Sequence, residues 1–405
     1  MAEKTKRGVA SSQKQLRVLY SFPLKLGAAR VCTTAWHQVD GLAATGAEVT
    51  VFPASICRAL PGHVKVFPTL ARGKFRLPNR ALGRMLYASL HDWTVSRRLE
   101  KMAGEIDVVH TWPLGALRTL KTAKRLGIPT FLERPNAHTQ FAYEIVQEEC
   151  RRLGVTMPPG HEHAYNEKLL RHEEAEYALA DHLLCPSDFV ASTFAERGFP
   201  AAKLARHHYG FDAKLFFAGK QNAEPARGLT MIFVGGCAPR KGLHYALDAW
   251  LKSTAHEKGT FLIAGEFIPG YAEKLASQLA HPSVKRLGHR SDVPELMRQS
   301  DVFVLPTIEE GSALVTLEAR GSGCVLLVSD AAGAICQNGE NGLVHQARDV
   351  ATLTAQLTGL DQDRPRLQRL RTASLATASD ITWAAAGRKL LSVYRSLVKQ
   401  PAVGA

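Results

Sequence analysis

The chain has 405 residues, 45% of them hydrophobic and 22% charged, and a formal charge of +14 from 51 Lys and Arg against 37 Asp and Glu. That length supports two or three domains, each able to bury a core. The opening MAEKTKRGVASSQKQ is polar and basic, which excludes a secretory signal, and no apolar run approaches the roughly 18 residues of a spanning helix. The seven cysteines, Cys32, Cys57, Cys150, Cys185, Cys237, Cys324 and Cys336, are scattered and contain no C-x-x-C. They read as buried thiols of a reducing cytosol, not as a disulfide framework or a zinc site.

In chain order, residues 16–22 (LRVLYSF) read as a first strand, followed by a loop with Gly27 and a helix over 31–44 that stops at Thr45-Gly46. Residues 48–53 form a second strand. Between Arg58 and Lys101 lie Arg72, Lys74, Arg76, Arg80, Arg84, Arg97 and Arg98, opposed only by Asp92 and Glu100. Phe75, Leu77, Leu82, Met85, Leu86, Tyr87, Leu90 and Trp93 interleave with them at a spacing that suits a helix with an apolar stripe. Residues 106–112 are a buried strand, a helix runs through Arg125 to Gly127, and 128–134 is the next strand. The stretch 143–181 is helical and charged, broken at Met157-Pro158-Pro159-Gly160, and 182–187 is a strand with a helix after it.

Residues 219–228 (GKQNAEPARG), with Gly at both ends and Pro225 inside, read as a linker. The strand–helix pattern then restarts at TMIFVGG, with a helix from Leu243 and strands over 261–266, 283–289, 302–306, 324–330 and 342–346. Apolar, β-branched strands separated by helices indicate parallel sheets covered on both faces, here two doubly wound α/β domains in tandem. Ligands are expected at the carboxyl ends of the strands. The expected boundaries are 1–217, 218–382 and a final helical segment 383–405.

The segment 307–323, TIEEGSALVTLEARGSG, holds Glu310 and Glu318 with seven residues between them around a Gly-Ser turn, after a strand and before a helix beginning near Ser312. The mouth of such a helix carries unpaired N–H groups and partial positive charge, and can hold an oxygen-rich ligand between the two acids. Two acids alone serve equally as a cap and a solvated face residue; the flanking sequence favours the ligand.

That flanking sequence, LPTIEEGSALVTLEARGSGCVLLVSDAAG (305–333), resembles the signature of the retaining family-4 glycosyltransferases of the GT-B fold, a Glu, seven residues and a second Glu. FVGGCAPRKGLHYALDAW (233–250), HHYGFDAKLF (207–216) and ADHLLCPSDFVASTF (180–194) match other family segments in the family's order. The resemblance implies two Rossmann-like doubly wound parallel-sheet domains facing a central cleft, with the last helix crossing back to the N-terminal domain. It implies retaining, metal-independent transfer of a hexose from a nucleotide-diphosphate sugar, UDP-, GDP- or ADP-linked, to an acceptor hydroxyl of a glycan, lipid or small molecule, without a cofactor.

The same resemblance distributes roles. Arg240 and Lys241, after the Gly235-Gly236 loop, would neutralise the leaving diphosphate. Glu310 would hold sugar hydroxyls, supported by N–H groups of Gly311, Ser312 and Ala313, and Glu318 would accept both ribose hydroxyls. Val315 and Thr316 would lie under the phosphates, Gly27 and Ala28 would form the first loop, and Arg30 would add a cation. His138 would stand near sugar and acceptor, with His110 as second candidate. The chain departs from the family in having Gly236 where an arginine is usual and Ala28 where many relatives have glycine.

The cation excess favours anionic partners. The basic stretch 58–101 reads as a solvated face or as a contact with an anionic membrane surface, placing the protein in the cytoplasm, peripheral at the inner membrane face. No nucleic-acid-binding pattern accompanies the charge, so nucleic acid is not an expected partner. His161, Glu162 and His163 match no zinc spacing, and no metal is expected. A nucleotide-sugar epimerase or phosphorylase on the same scaffold, or a basic nucleic-acid-binding protein, is the alternative; the Glu310–Glu318 segment argues against the first, no pyridoxal-phosphate lysine signal supports the second, and charge alone supports the third.

Overall fold

The computed structural model of the protein describes residues 15–73, 75–77, 82–219 and 228–398. Its first half contains β1 (Arg17–Leu26), α1 (Val31–Ala44), β2 (Glu48–Ile56), β3 (Lys65–Val66), a small antiparallel hairpin of β4 (Ala71–Arg72) and β5 (Phe75–Arg76), α2 (Arg84–Lys101), β6 (Val108–Thr111) and α3 (Leu117–Arg125). It continues with β7 (Thr130–Glu133), α4 (Thr139–Leu153), α5 (Glu167–Leu179), β8 (His182–Cys185), α6 (Asp188–Ala195) and β9 (Leu204–Arg206). The second half contains β10 (Thr230–Val234), α7 (Leu243–Lys252), β11 (Thr260–Ala264), the short α8 (Tyr271–Lys274) and α9 (Ala276–Leu279), β12 (Val284–Gly288), α10 (Val293–Arg298), β13 (Val302–Leu305), α11 (Leu314–Ser322), β14 (Val325–Ser329), β15 (Leu343–His345), α12 (Val350–Gln362), α13 (Arg364–Ala376) and α14 (Trp383–Val398).

The strands pair in two parallel sheets, in the spatial orders β3-β2-β1-β6-β7-β8-β9 and β12-β11-β10-β13-β14-β15. Every residue of β6, β7, β13 and β14 is buried, which is why none of these strands alternates between apolar and polar faces: β13 and β14 are almost wholly apolar, while β6 and β7 end in buried polar groups that include His110 and Glu133. In each sheet the order reverses beside the first strand, between β1 and β6 and between β10 and β13. Crossovers leave these neighbours in opposite directions and open a crevice at their carboxyl ends. The two crevices face one another, which makes this a GT-B fold.

One core packs around Phe233, Trp250, Phe261 and Phe303, another around Tyr20, Val39, Val108 and Phe131. Leu390, Leu391 and Tyr394 of α14 belong to the second of these, so the last helix packs on the first sheet, against α1 at Gly41 and Gly387. The chain crosses between the halves at two adjacent points. There the Phe211 N–H donates to Ile381 O (3.2 Å) and the Trp383 N–H to Phe211 O (3.3 Å).

Some expectations shift. β1 runs four residues further, with a register irregularity between Phe22 and Lys25. Phe75 and Leu77 do not join the apolar stripe of a helix: Phe75 lies in the β4–β5 hairpin, and the helix starts only at Arg84. The helical stretch before the Pro-Pro break begins at Thr139. Cys57 is exposed and Cys32 and Cys336 are half-buried, so the buried-thiol reading holds only for the other four. Residues 220–227 of the expected linker lie outside the described residues.

Candidate active site

A cleft of about 870 Å³ lies between the two sheets' carboxyl ends. Its C-terminal wall is built from the loops after β10 and β13. After β10 the chain turns through Gly235 and Gly236 into a single 3-10 turn, Pro239–Lys241. Gly242, at φ +69°, closes this turn, and a Cβ there would lie 1.8 Å from the carbonyl oxygen of Pro306. Only glycine lets the turn sit flush on the end of β13. The Ile308 N–H (3.0 Å) and the Thr307 hydroxyl (2.7 Å) both donate to Arg240 O, locking the two loops together.

This packing assembles four charges. Arg240 Nη1 donates to Glu309 O (2.9 Å) and Glu309 Oε2 (3.2 Å) and pairs with Glu310 Oε1 (3.0 Å), while Lys241 Nζ pairs with Glu310 Oε2. Burial acts to raise the Glu310 carboxyl, but Arg240 and Lys241 outweigh it and hold it at about 2. Glu309, fully buried, is raised by burial against the pull of Arg240. The Lys241 ammonium is lowered by burial despite Glu310. The cluster is neutral only as a set, so an incoming anion competes with Glu310 for Lys241.

Beyond it, α11 starts at Leu314, two residues later than expected, with Ala313 in the cap position and no side chain capping its free N–H groups. The Ser312 hydroxyl is buried without a hydrogen-bond partner among the described residues. Glu318, in the second turn, faces the cleft, and burial pushes its carboxyl up to about 7. An orphan hydroxyl, an open helix N-terminus and a carboxyl without a cation line one space, which suits a ligand carrying both anionic and hydroxyl groups.

The opposite wall is apolar and aromatic, with Phe22, Trp112, Pro113 and Leu114; the Trp112 indole N–H donates to Tyr20 Oη (2.7 Å). Its polar groups include Arg30, Thr34, Arg84, Asn136, His161 and Glu162. Arg30 has φ 61°, a backbone state costly for a side-chain-bearing residue.

Of the expected residues, Arg240, Lys241, Glu310, Glu318, Gly235, Gly236, Ser312, Ala313, Val315 and Arg30 line the cleft; Gly27, Ala28, Gly311, Thr316, His138 and His110 do not. Gly27 packs against Arg58 and Trp36, with Ala28 beside it in the same turn. The Thr316 hydroxyl turns back to Ala313 O (2.7 Å). His138 caps α4, its Nδ1 accepting from the Gln140 N–H (3.2 Å), and its ring is wedged among Tyr177, Phe194 and Phe199. Burial lowers this imidazole to about 3. His110 is buried behind the wall, with Nδ1 2.5 Å from Tyr394 Oη and Nε2 3.5 Å from Glu133.

Gly311 serves the contact between the lobes. Its carbonyl accepts from the Ser187 hydroxyl (2.5 Å), and a Cβ on it would lie 1.6 Å from Pro135 O. Glu309, absent from the sequence reading although it adjoins Glu310, accepts from the Ala137 N–H across the same junction (3.3 Å). A second clasp lies at the end of α4. There Glu149 accepts from Tyr245 Oη (2.5 Å) and Arg348 Nε (2.9 Å) and lies 3.0 Å from His244 Nε2.

Residues 31–215 match the family model Glycosyltransferase Family 4, and residues 228–363 match Glycosyl transferases group 1. The chain belongs to the family-4 glycosyltransferases. This glycosyltransferase is 25% identical over 396 residues to D-inositol 3-phosphate glycosyltransferase 1 of Catenulispora acidiphila, covering 88% of each chain. It is 31% identical over 188 residues to the glycogen synthase of Mycobacterium tuberculosis, covering 44% of each. Its fold is similar to that of Anabaena Alr3699/HepE in complex with UDP (TM-score 0.64, 17% identity, 94% of this chain and 100% of that one) and of WaaG, a glycosyltransferase involved in lipopolysaccharide biosynthesis (TM-score 0.62, 14% identity, 93% and 99%). Among the described residues of the glycosyltransferase, no helix is long and apolar enough to cross a membrane, and no group of three or more His, Cys, Asp or Glu is placed to hold a metal ion.

Proposed function

We propose that the enzyme transfers a hexose, with retention at the anomeric carbon, from a nucleotide-diphosphate sugar to an acceptor hydroxyl presented by the N-terminal wall. The observation that carries this is the cluster of Arg240 and Lys241 with Glu310 on the cleft wall, Glu310 standing four residues before the first residue of α11, Leu314. The donor diphosphate takes Lys241 from Glu310 and meets Arg240 and the α11 N–H groups. These cations and dipoles are aimed where negative charge grows as the glycosidic bond breaks. Glu310, freed of Lys241, accepts sugar hydroxyls; Glu318 accepts the two ribose hydroxyls as a carboxylate. The Ser312 hydroxyl supplies a further donor. The departing phosphate draws off the acceptor proton on the same face, so no base is required on the far side.

One structural neighbour, Anabaena Alr3699/HepE, is seen in complex with UDP and with UDP-glucose, which makes uridine the first base to test before guanosine or adenosine. The relatives act on acceptors as different as inositol 3-phosphate and a bacillosaminyl-diphospho-undecaprenol. An anionic acceptor, met by Arg30 and Arg84 from a cytoplasmic, membrane-peripheral position, suits the charge of the N-terminal wall.

One carboxylate, Glu162, stands among the described residues of that wall and would be the base of an inverting reaction. Incubation with UDP-, GDP- and ADP-hexoses, followed by nucleoside diphosphate release and the anomeric configuration of the product, tests the proposal. Retained configuration supports it; inverted configuration assigns the reaction to Glu162.

A further inference from the structure

From Arg58 to His91 the chain carries Arg58, Lys65, Arg72, Lys74, Arg76, Arg80 and Arg84 and not one Asp or Glu. The next acid, Asp92, is buried, its carboxylate accepting from the Arg118 (2.7 Å) and Thr119 (2.9 Å) N–H groups at the start of α3. It therefore caps a helix inside the fold and does not offset the charge outside.

The same stretch holds four of the eight large hydrophobic side chains exposed among the described residues, Phe67, Phe75, Leu77 and Leu86, and a fifth, Trp93, follows two residues after it. Their concentration in one segment sets them apart from the scattered apolar exposure of any soluble surface. Phe75, 86% exposed, stands in the β4–β5 hairpin between Arg72 and Arg76. Leu86 and Trp93, seven residues apart, share the outer face of α2, while Tyr87, His91, Val95 and Leu99 face inward. Arg98 follows on the exposed side. α2 also sends Arg84, Tyr87 and Ala88 to the cleft, so this surface adjoins the cleft's N-terminal wall.

Exposed aromatic and aliphatic tips flanked by arginines, with Glu100 at the far end of the α2 face already paired to Arg97 (3.4 Å) and Arg125 (2.5 Å), fit the interfacial zone of an anionic bilayer. The apolar tips enter the headgroup boundary, and the arginines, whose stems are apolar, reach phosphates. Nucleic acid would engage the cations but leave Leu77, Leu86 and Phe75 unused. We propose that the β4–β5 hairpin and the outer face of α2 dock the enzyme on an anionic bilayer, so that its acceptor is a lipid-borne molecule taken up from the headgroup layer. The lipid assignment rests on the reading that the N-terminal wall receives the acceptor.

The test is co-sedimentation of the full chain with vesicles of phosphatidylcholine alone and of an equal mixture with phosphatidylglycerol. Sedimentation only with the mixed vesicles is expected, weakening as salt rises. Phe75→Ser with Trp93→Ser, and separately Arg72→Glu with Arg76→Glu, should each weaken it by about tenfold or more, with UDP binding unchanged as the sign of an intact fold. No sedimentation with mixed vesicles, sedimentation indifferent to both variants, or binding of duplex DNA in place of vesicles overturns the proposal. Vesicle binding without any nucleoside diphosphate binding would instead remove the donor reading and leave the docking surface standing.

Discussion

Lys241 and Glu310, 69 residues apart in the chain, meet in an ion pair at the cleft wall, each with its charge largely out of water. The pair exists because Gly242 lets the turn after β10 rest on Pro306 at the end of β13. Lys241→Ala should lower kcat/KM about 10² to 10³-fold, as loss of a cation facing a leaving phosphate does. In denaturant unfolding, Lys241→Ala and Glu310→Ala should each destabilise by ~2 kcal/mol or more, since each leaves a buried charge short of a partner. The double variant should cost less than the sum; additive values would mean that the pair is not coupled.

Glu318 supplies a pH test. Its folded carboxyl titrates at about 7 against an ordinary 4.5, because burial disfavours the charge. The folded state therefore holds the extra proton between these values, and stability falls as pH rises from 4.5 to 7, then stays level. Glu318→Gln removes that penalty, so the unliganded variant should gain ~2 kcal/mol at pH 8 and nothing below pH 4, a figure discounted for partial exposure. If the carboxylate accepts the ribose hydroxyls, wild-type donor binding should tighten about tenfold from pH 6 to pH 8, and the variant should bind weakly at both. A donor affinity independent of pH would detach Glu318 from the nucleoside.

Gly311 tests the junction of the lobes. A methyl group there has no room beside Pro135 O, so Gly311→Ala should push the lobes apart without disturbing either core. Activity should fall by about 10²-fold, as expected when reacting groups are misplaced by an ångström, while the circular dichroism spectrum stays that of the parent. Full activity would show that this contact is not made during turnover.

His138 separates capping from chemistry. His138→Asn keeps a side chain able to accept from Gln140 N–H and should retain activity, whereas His138→Ala should lose ~1 kcal/mol of stability with a kcat within a few-fold of wild type. A loss of kcat common to both variants would return His138 to the reaction.

The parts legible in the sequence are those that repeat a physical pattern. Strands buried on both faces have to be apolar runs, so the order of β10, β11, β13 and β14 reads directly, and the spacing of Glu310 and Glu318 around a turn marks the C-terminal wall. The N-terminal wall comes from loops without period. His161 and Glu162 lie between α4 and α5 and reach the cleft through tertiary packing alone. Glu309 meets Ala137 across 172 residues, which no local window contains. A histidine after a strand either reaches a ligand or caps the next helix, and for His138 the pocket of Tyr177, Phe194 and Phe199 that holds its ring is a tertiary feature no local window contains. The hairpin at Phe75 was hidden because its apolar residues happen to continue the helical spacing of α2.

Calorimetric titration of the unliganded enzyme with UDP, GDP and ADP, repeated on Lys241→Ala, addresses the central claim that the Arg240–Lys241 turn receives a nucleotide diphosphate. One of the three should bind with a Kd in the micromolar range, and the variant should bind it at least about tenfold more weakly. Binding of none of them, or equal binding by the variant, would contradict it.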